Sequence, residues 1–214
     1  MGFPQKKLNK PMTVLDAGCG TGSFALSFGR ANPNSKITAF NISEASVKYA
    51  DNHAKSLNIK NIRFIKADIF NLPDEITSVK YDLVWSRGML HCTHDPKFAL
   101  EIISKLVKSE NFMVIGLYHK GRYLVTIMRL ILKILSGGDI KKKIKFARLL
   151  FPKHCKNHIT KGFDGEPRSK ELEDTSLADK FAVPKESLHS FLKNNIEMNQ
   201  LGFQVIFKNA SQPN

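Results

Sequence analysis

Short apolar runs alternate along the chain with longer stretches whose apolar residues recur at helical spacing, the pattern of strands separated by helices. Val14-Leu15-Asp16-Ala17 is the first such run; Phe24, Ala25 and Phe28 follow at helical intervals, and Asn32-Pro33 closes them because proline disfavours helix in the residue before it. Lys36 to Asn41 reads as a second strand. Ser43 is placed to cap a helix carried by Val47, Ala50, Ala54 and Leu57 and ended at Asn58. Further strands are expected at Ile62 to Asp68, Tyr81 to Ser86 and Asn111 to Leu117. Between the last two, Asp95-Pro96 opens a helix that puts Ala99, Ile102, Ile103 and Leu106 on one face. This alternation predicts an α/β sandwich around a mostly parallel sheet.

The rhythm breaks after residue 118. From Arg122 to Leu135 nearly every position is apolar, with Arg122, Arg129 and Lys133 as the charged exceptions. A surface so broadly apolar has to be covered: by its own domain, as a cap over a hydrophobic substrate, by a membrane interface, or by a dimer partner. Ser136-Gly137-Gly138 ends this helix, Asp139 caps another from Ile140 to Phe151, and the polar residues 152–180, with Gly162, Gly165 and Pro167, read as a linker or loop. Pro184 then starts a helix through Leu188, Phe191, Leu192 and Ile196. It ends near Gly202, and a last strand is expected from Phe203 to Phe207. Residues 1–118 and 181–214 thus form one core, with 119–180 as a basic helical insertion or cap.

Composition narrows the class. A length of 214 residues with 42% hydrophobic content suits one domain with an excursion. No run approaches the roughly 20 apolar residues of a membrane span, no leader pattern is evident, and three scattered cysteines give no disulfide framework, so a cytoplasmic protein is expected. The net charge of +14 is uneven: residues 119–161 hold 12 Lys/Arg against one acidic residue. Such a segment could meet RNA, an anionic membrane surface through 122–135, or only solvent; the oligomeric state is left open.

The candidate chemistry lies in Gly18-Cys19-Gly20-Thr21-Gly22, directly after the first strand and before a helix. Glycines there let the backbone approach a nucleotide-like ligand at the helix N-terminus. A dinucleotide fingerprint needs its last two glycines three apart, whereas here Ser23 stands at that place. The Asp16-x-Gly18-x-Gly20-x-Gly22 form, preceded by Val14-Leu15, resembles motif I of class I S-adenosylmethionine-dependent methyltransferases. That resemblance implies a three-layer Rossmann-like sandwich of six or seven strands, with S-adenosylmethionine as cofactor and S-adenosylhomocysteine as product. It implies cofactor contacts from Asp16, Gly18, Cys19, Gly20 and Gly22. Asn41 and Ile42 stand after the second strand, where an acidic residue usually grips ribose; an amide can accept only part of that pattern. Asp68 and Ile69 match the adenine-binding pair, and Ser86 and Met89 lead into the Leu90-His91 loop after the fourth strand.

A methyl acceptor sometimes needs a base, and His91 and His94 lie on that loop with imidazoles suited to proton transfer near neutrality. His91-Cys92-x-His94 and His154-Cys155-x-x-His158 offer ligand atoms without a zinc-finger spacing, so no metal is expected. The resemblance points to a small-molecule methyl acceptor, and the apolar helix from Arg122 to Leu135 favours a hydrophobic one. An RNA methyltransferase using the basic segment, or a catalytically weak binding protein on the same fold, are the alternatives.

Overall fold

The strands that carry the glycine turn are apolar on both sides, and the fold buries both. In a computed structural model, which describes residues 10–117, 123–156, 174, 177–178, 181 and 191–204, β1 (Thr13–Ala17) occupies the middle of a sheet ordered β3-β2-β1-β4-β5. Its neighbours are β2 (Lys36–Asn41) and β4 (Tyr81–Arg87); β3 (Ile62–Lys66) and β5 (Val107–Gly116) lie outside them, and every pairing is parallel. A parallel ladder needs a crossover between partners, and the helices supply it: α1 (Ser23–Ala31), α2 (Glu44–Ser56), the short α3 (Asp74–Thr77) and α4 (Pro96–Ser104). The chain runs outward from β1 to β3 and then crosses back to β4, so strand order reverses between β1 and β4. In open parallel sheets ligands bind beyond the carboxyl ends at that reversal.

Two apolar layers hold the sheet, as strand alternation requires. Val14, Ile37, Ala39 and Leu83 face Ala25, with Phe24 and Phe28 packed beside them. Leu15, Ala17, Phe40 and Val84 face the other way, onto Ala99, Leu100 and Ile103 of α4 and onto Leu90. At the amino end of the sheet, Asp82 accepts from the Thr13 amide at 2.7 Å and from Lys108 Nζ at 2.8 Å, tying β1, β4 and β5 together. The helix signals read from sequence are made in the structure. Ser43, Asp95 and Asp139 each accept a hydrogen bond from the amide three residues on. Asn58 takes φ 53° just past α2, and Ile59 N–H reaches back to the Ala54 carbonyl.

Three expectations change. Five strands are present among the described residues, not six or seven: Phe203 and Gln204 lie outside any strand, and Val205, Ile206 and Phe207 fall outside the described residues. The fifth strand starts at Val107, not Asn111. Its pairing with β4 jumps from Tyr81↔Val107 to Leu83↔Phe112, and Glu110 absorbs the irregularity at φ 58°. Nor are residues 152–180 only a loop. α7 (Pro152–Lys156) is helical, and Leu177 and Phe181, four residues apart, are buried.

The chain divides into two compact units, Met1–His119 with Ser187–Ser211, and Lys120–Glu186 with Gln212–Asn214. In the first, α8 (Phe191–Gln200) brings Met198 and Leu201 against the core cluster that holds Leu15, Phe40 and Val84. In the second, α5 (Tyr123–Ser136), α6 (Ile140–Leu150) and α7 enclose their own core of Leu132, Ile144, Ala147 and Cys155 with Leu177 and Phe181. Arg148 reaches Asp174 at 2.7 Å across that unit. No helix among the described residues is long and apolar enough to cross a membrane.

Candidate functional site

The three glycines after β1 all take positive φ but meet different surroundings. A Cβ on Gly18 would collide with the Met89 side chain, and one on Gly22 would lie 2.8 Å from Ala50 Cβ of α2. These two let the post-β4 loop and α2 close on the turn. A Cβ on Gly20 would meet nothing within 4 Å, so Gly20 is the crest that faces open space. The amides of Gly18 and Cys19 donate to the Phe40 carbonyl at 3.0 and 2.9 Å, which fixes the turn to β2. The backbone at Gly20 is therefore open where that at Gly18 is closed by Met89.

Asp16 precedes the turn on the face that packs against α1. It is only 2% exposed, sits in register with Trp85 of β4, and lies on the side where Trp85 and Phe24 stack at 4.1 Å between ring centroids. Burial pushes its carboxyl up to about 7, against a smaller opposing effect from the Ala25 amide. Its Oδ2 is buried with no hydrogen-bond partner. Ser86, on the opposite face of β4 one residue before its end, is 1% exposed, and its Oγ is likewise unpartnered. Native interiors rarely leave such atoms unsatisfied, and each marks a place where a ligand or water can supply the missing bond. For Cys19, burial and then the neighbouring Asp16 charge drive the thiol far above its usual range, which disfavours the thiolate.

The remaining predicted residues lie at the same carboxyl edge. Asn41 ends β2, half-buried, with its carbonyl accepting from Ala67; Ile42 beside it is exposed. Asp68 is exposed and its Oδ1 accepts from the Phe70 amide at 3.0 Å, whereas the Ile69 side chain turns into the core. Met89 abuts Gly18. The two histidines separate: His91, in a 3-10 turn over Leu90–Cys92, is 0% exposed, while His94 is exposed and its ring lies 4.1 Å from that of Phe70. Sequence reasoning missed the aromatic group this creates. Phe70 also stacks on Phe98, which is 47% exposed on the first turn of α4. The available signal was a large apolar residue at position 98, off the buried stripe of its helix.

The glycine crest, the orphaned Asp16 and Ser86 atoms, and a parallel sheet reversing between β1 and β4 define a Rossmann-like nucleotide-cofactor fold, and the donor set fits S-adenosylmethionine. The comparisons make the class specific. A family model described as methyltransferase domain matches residues 8–164, and the chain belongs to that family, the class I S-adenosylmethionine-dependent methyltransferases. Among curated relatives, a malonyl-[acyl-carrier protein] O-methyltransferase of a Paenibacillus species is 26% identical over 52% of this chain and 40% of its own length. Another with that activity in its name, from Ilyobacter polytropus, is 36% identical over 40% of this chain and 30% of its own length. An uncharacterised Synechococcus protein is 26% identical over 84% of this chain and 44% of its own. The chain thus spans less than half the length of these relatives. Of solved structures, PKMT2 from Rickettsia typhi shares the fold with TM-score 0.64 at 17% identity, covering 90% of this chain and 39% of that one.

Proposed function

We propose that this chain transfers the methyl group of S-adenosylmethionine to a small, hydrophobic acceptor, using the carboxyl edge of the sheet in the unit built on β1 to β5. The observation that carries the reading is Asp16 Oδ2, buried and unpartnered next to the open crest at Gly20. When bound, S-adenosylmethionine supplies an activated methyl group on a sulfonium, and its ammonium is the cation that a buried carboxylate lacks. The chain's part is to bind and orient. Asp16 and Ser86 offer polar atoms in a dry setting, where an electrostatic contact is worth more than in water. Asn41 serves one ribose hydroxyl as acceptor and another as donor. Asp68 and Ile42 flank the base, and Met89 closes the turn from the β4 side.

The acceptor side is assigned to Phe70, His94 and Phe98, an aromatic group with exposed faces and one imidazole. Apolar, partly planar acceptors are what such a surface covers. His94 is the candidate base because it is exposed; His91, enclosed at the root of the loop, is assigned to holding Met89 and Leu90 in place. Residues 119–180 are proposed as an insertion with a core of its own.

The names of the curated relatives make a carboxyl-bearing acyl thioester a first acceptor to assay, followed by apolar phenols and amines. The test is formation of S-adenosylhomocysteine across that panel by wild type, His94→Gln and His91→Gln. Turnover lowered about 10²-fold or more by His94→Gln, at unchanged cofactor affinity, supports the assignment. Equal loss of turnover and of cofactor affinity in both variants contradicts it. Methylation of RNA but of no small acceptor would replace the small-molecule reading, and cofactor binding without any turnover would favour a binding protein.

A further inference from the structure

The α5 helix is apolar on two sides, and among the described residues only one of them is covered. Val125, Met128, Leu132 and Ser136 recur at three- and four-residue steps on the side that meets α6, α7, Leu177 and Phe181. On the other side Leu124, Ile127, Leu130, Ile131, Ile134 and Leu135 are 39% to 73% exposed. At 3.6 residues per turn these six occupy an unbroken arc of about 140°. Exposed Lys133 lies about 60° beyond the arc's edge, past Thr126. α6 adds exposed Lys141, Lys142 and Lys145, with Leu149 among them. Across residues 123–156 nine Lys/Arg stand against one acidic residue, Asp139.

From this pairing of an uncovered aliphatic arc with a one-signed basic surface, we propose that the 120–186 unit docks peripherally on an anionic lipid bilayer, with α5 lying in the plane of the interface. The charge selects the occupant. A second copy of the chain would bring the same positive field against itself, which opposes a dimer through this face. RNA would meet the lysines but gain nothing from six exposed aliphatic side chains, which offer bases no ring to stack on. An anionic bilayer satisfies both halves: acyl chains take the arc and headgroups take the lysines. α5 has 14 residues, about 21 Å, and so lies on a membrane and does not cross one. One short helix binds a bilayer only marginally, which is why the basic residues matter.

The proposal goes beyond methyl transfer and does not depend on it, since vesicle binding is read without cofactor. The experiment is co-sedimentation of the full chain with phosphatidylcholine vesicles, with and without about 30 mol% phosphatidylglycerol, at about 0.1 M and about 0.5 M salt. The wild type is expected to sediment with the mixed vesicles. Replacing Lys141, Lys142 and Lys145 by Ser should weaken binding about fivefold per lysine at the lower salt, and less at the higher. Ile127→Glu with Ile134→Glu should weaken it at least tenfold at both salts; Ile127→Ser with Ile134→Ser repeats the test if the first variant melts early. Failure of the wild type to bind the mixed vesicles overturns the proposal. A dimer that Ile134→Glu converts to a monomer, without vesicle binding, overturns it in favour of a second copy. Salt-sensitive RNA retention without vesicle binding overturns it in favour of nucleic acid.

Discussion

Between about pH 7.5 and about pH 6, S-adenosylhomocysteine should bind this chain roughly eightfold more weakly at the acid end, because Asp16 has to ionise to meet the ligand's ammonium. Burial on the α1 face holds the Asp16 carboxyl at about 7 in the ligand-free fold. The ionised fraction is then about 76% at the upper pH and about 9% at the lower, and the ratio of these is the expected loss. Binding at the lower pH must also release a proton, which calorimetry in buffers of different ionisation enthalpy measures directly. Asp16→Asn should bind weakly at both pH values and lose the pH dependence. The same group leaves a mark on stability. A carboxyl that stays protonated in the fold up to about 7, but ionises above its ordinary 3.8 in the unfolded chain, favours the fold most below the lower value. That advantage is given up as pH rises through the upper one. Relative to wild type, Asp16→Asn should therefore gain up to about 4 kcal/mol between pH 4 and pH 7, read by urea unfolding at several pH values. Equal ligand affinity for wild type at both pH values would refute the reasoning.

Other expectations follow from individual contacts. Gly18→Ala forces the Met89 side chain to move and should destabilise the fold by about 2 kcal/mol or more in urea. Gly20→Ala carries only the strain of φ 55°, about 1–2 kcal/mol, yet should weaken S-adenosylhomocysteine binding at least as much as Gly18→Ala does; if titration calorimetry finds it binding normally, the crest does not face the ligand. Leu177→Ala and Phe181→Ala should each cost about 3 kcal/mol of stability in the 120–186 unit, whereas neutral outcomes would mean that residues 152–180 are a linker after all. Glu110→Gly should stabilise by about 1 kcal/mol by relieving the left-handed backbone at the β5 bulge, and an earlier melt would show that the glutamate side chain outweighs the strain.

The parts of the fold legible in the sequence are those written in local chemistry. Asp16 and the three glycines state a strand, a turn and a helix in eleven residues, and Ser43, Asp95 and Asp139 announce helix starts because their side chains bond the backbone of the next turn. The start of β5 was hidden because Glu110 occupies a left-handed position where a glycine would have signalled the bulge. Leu177 and Phe181 were hidden by the polar residues around them, since two core positions in a polar stretch make no period. On α5 the opposite problem arises: an all-round apolar pattern cannot say which side is covered, and among the described residues only one is. At the site, Asp16 was legible as a motif position, but its raised proton affinity was not. That property comes from burial, which only the folded sheet and the helix against it create. Phe70 and Phe98 escaped notice because neither lies on an apolar stripe.

The most direct test of the central claim is titration calorimetry of the purified chain with S-adenosylhomocysteine and, in parallel, with NAD, at pH 7.5. Saturable one-to-one binding of S-adenosylhomocysteine, weakened in Asp16→Asn and absent with NAD, is the predicted result. Saturable binding of NAD with none of S-adenosylhomocysteine would contradict it.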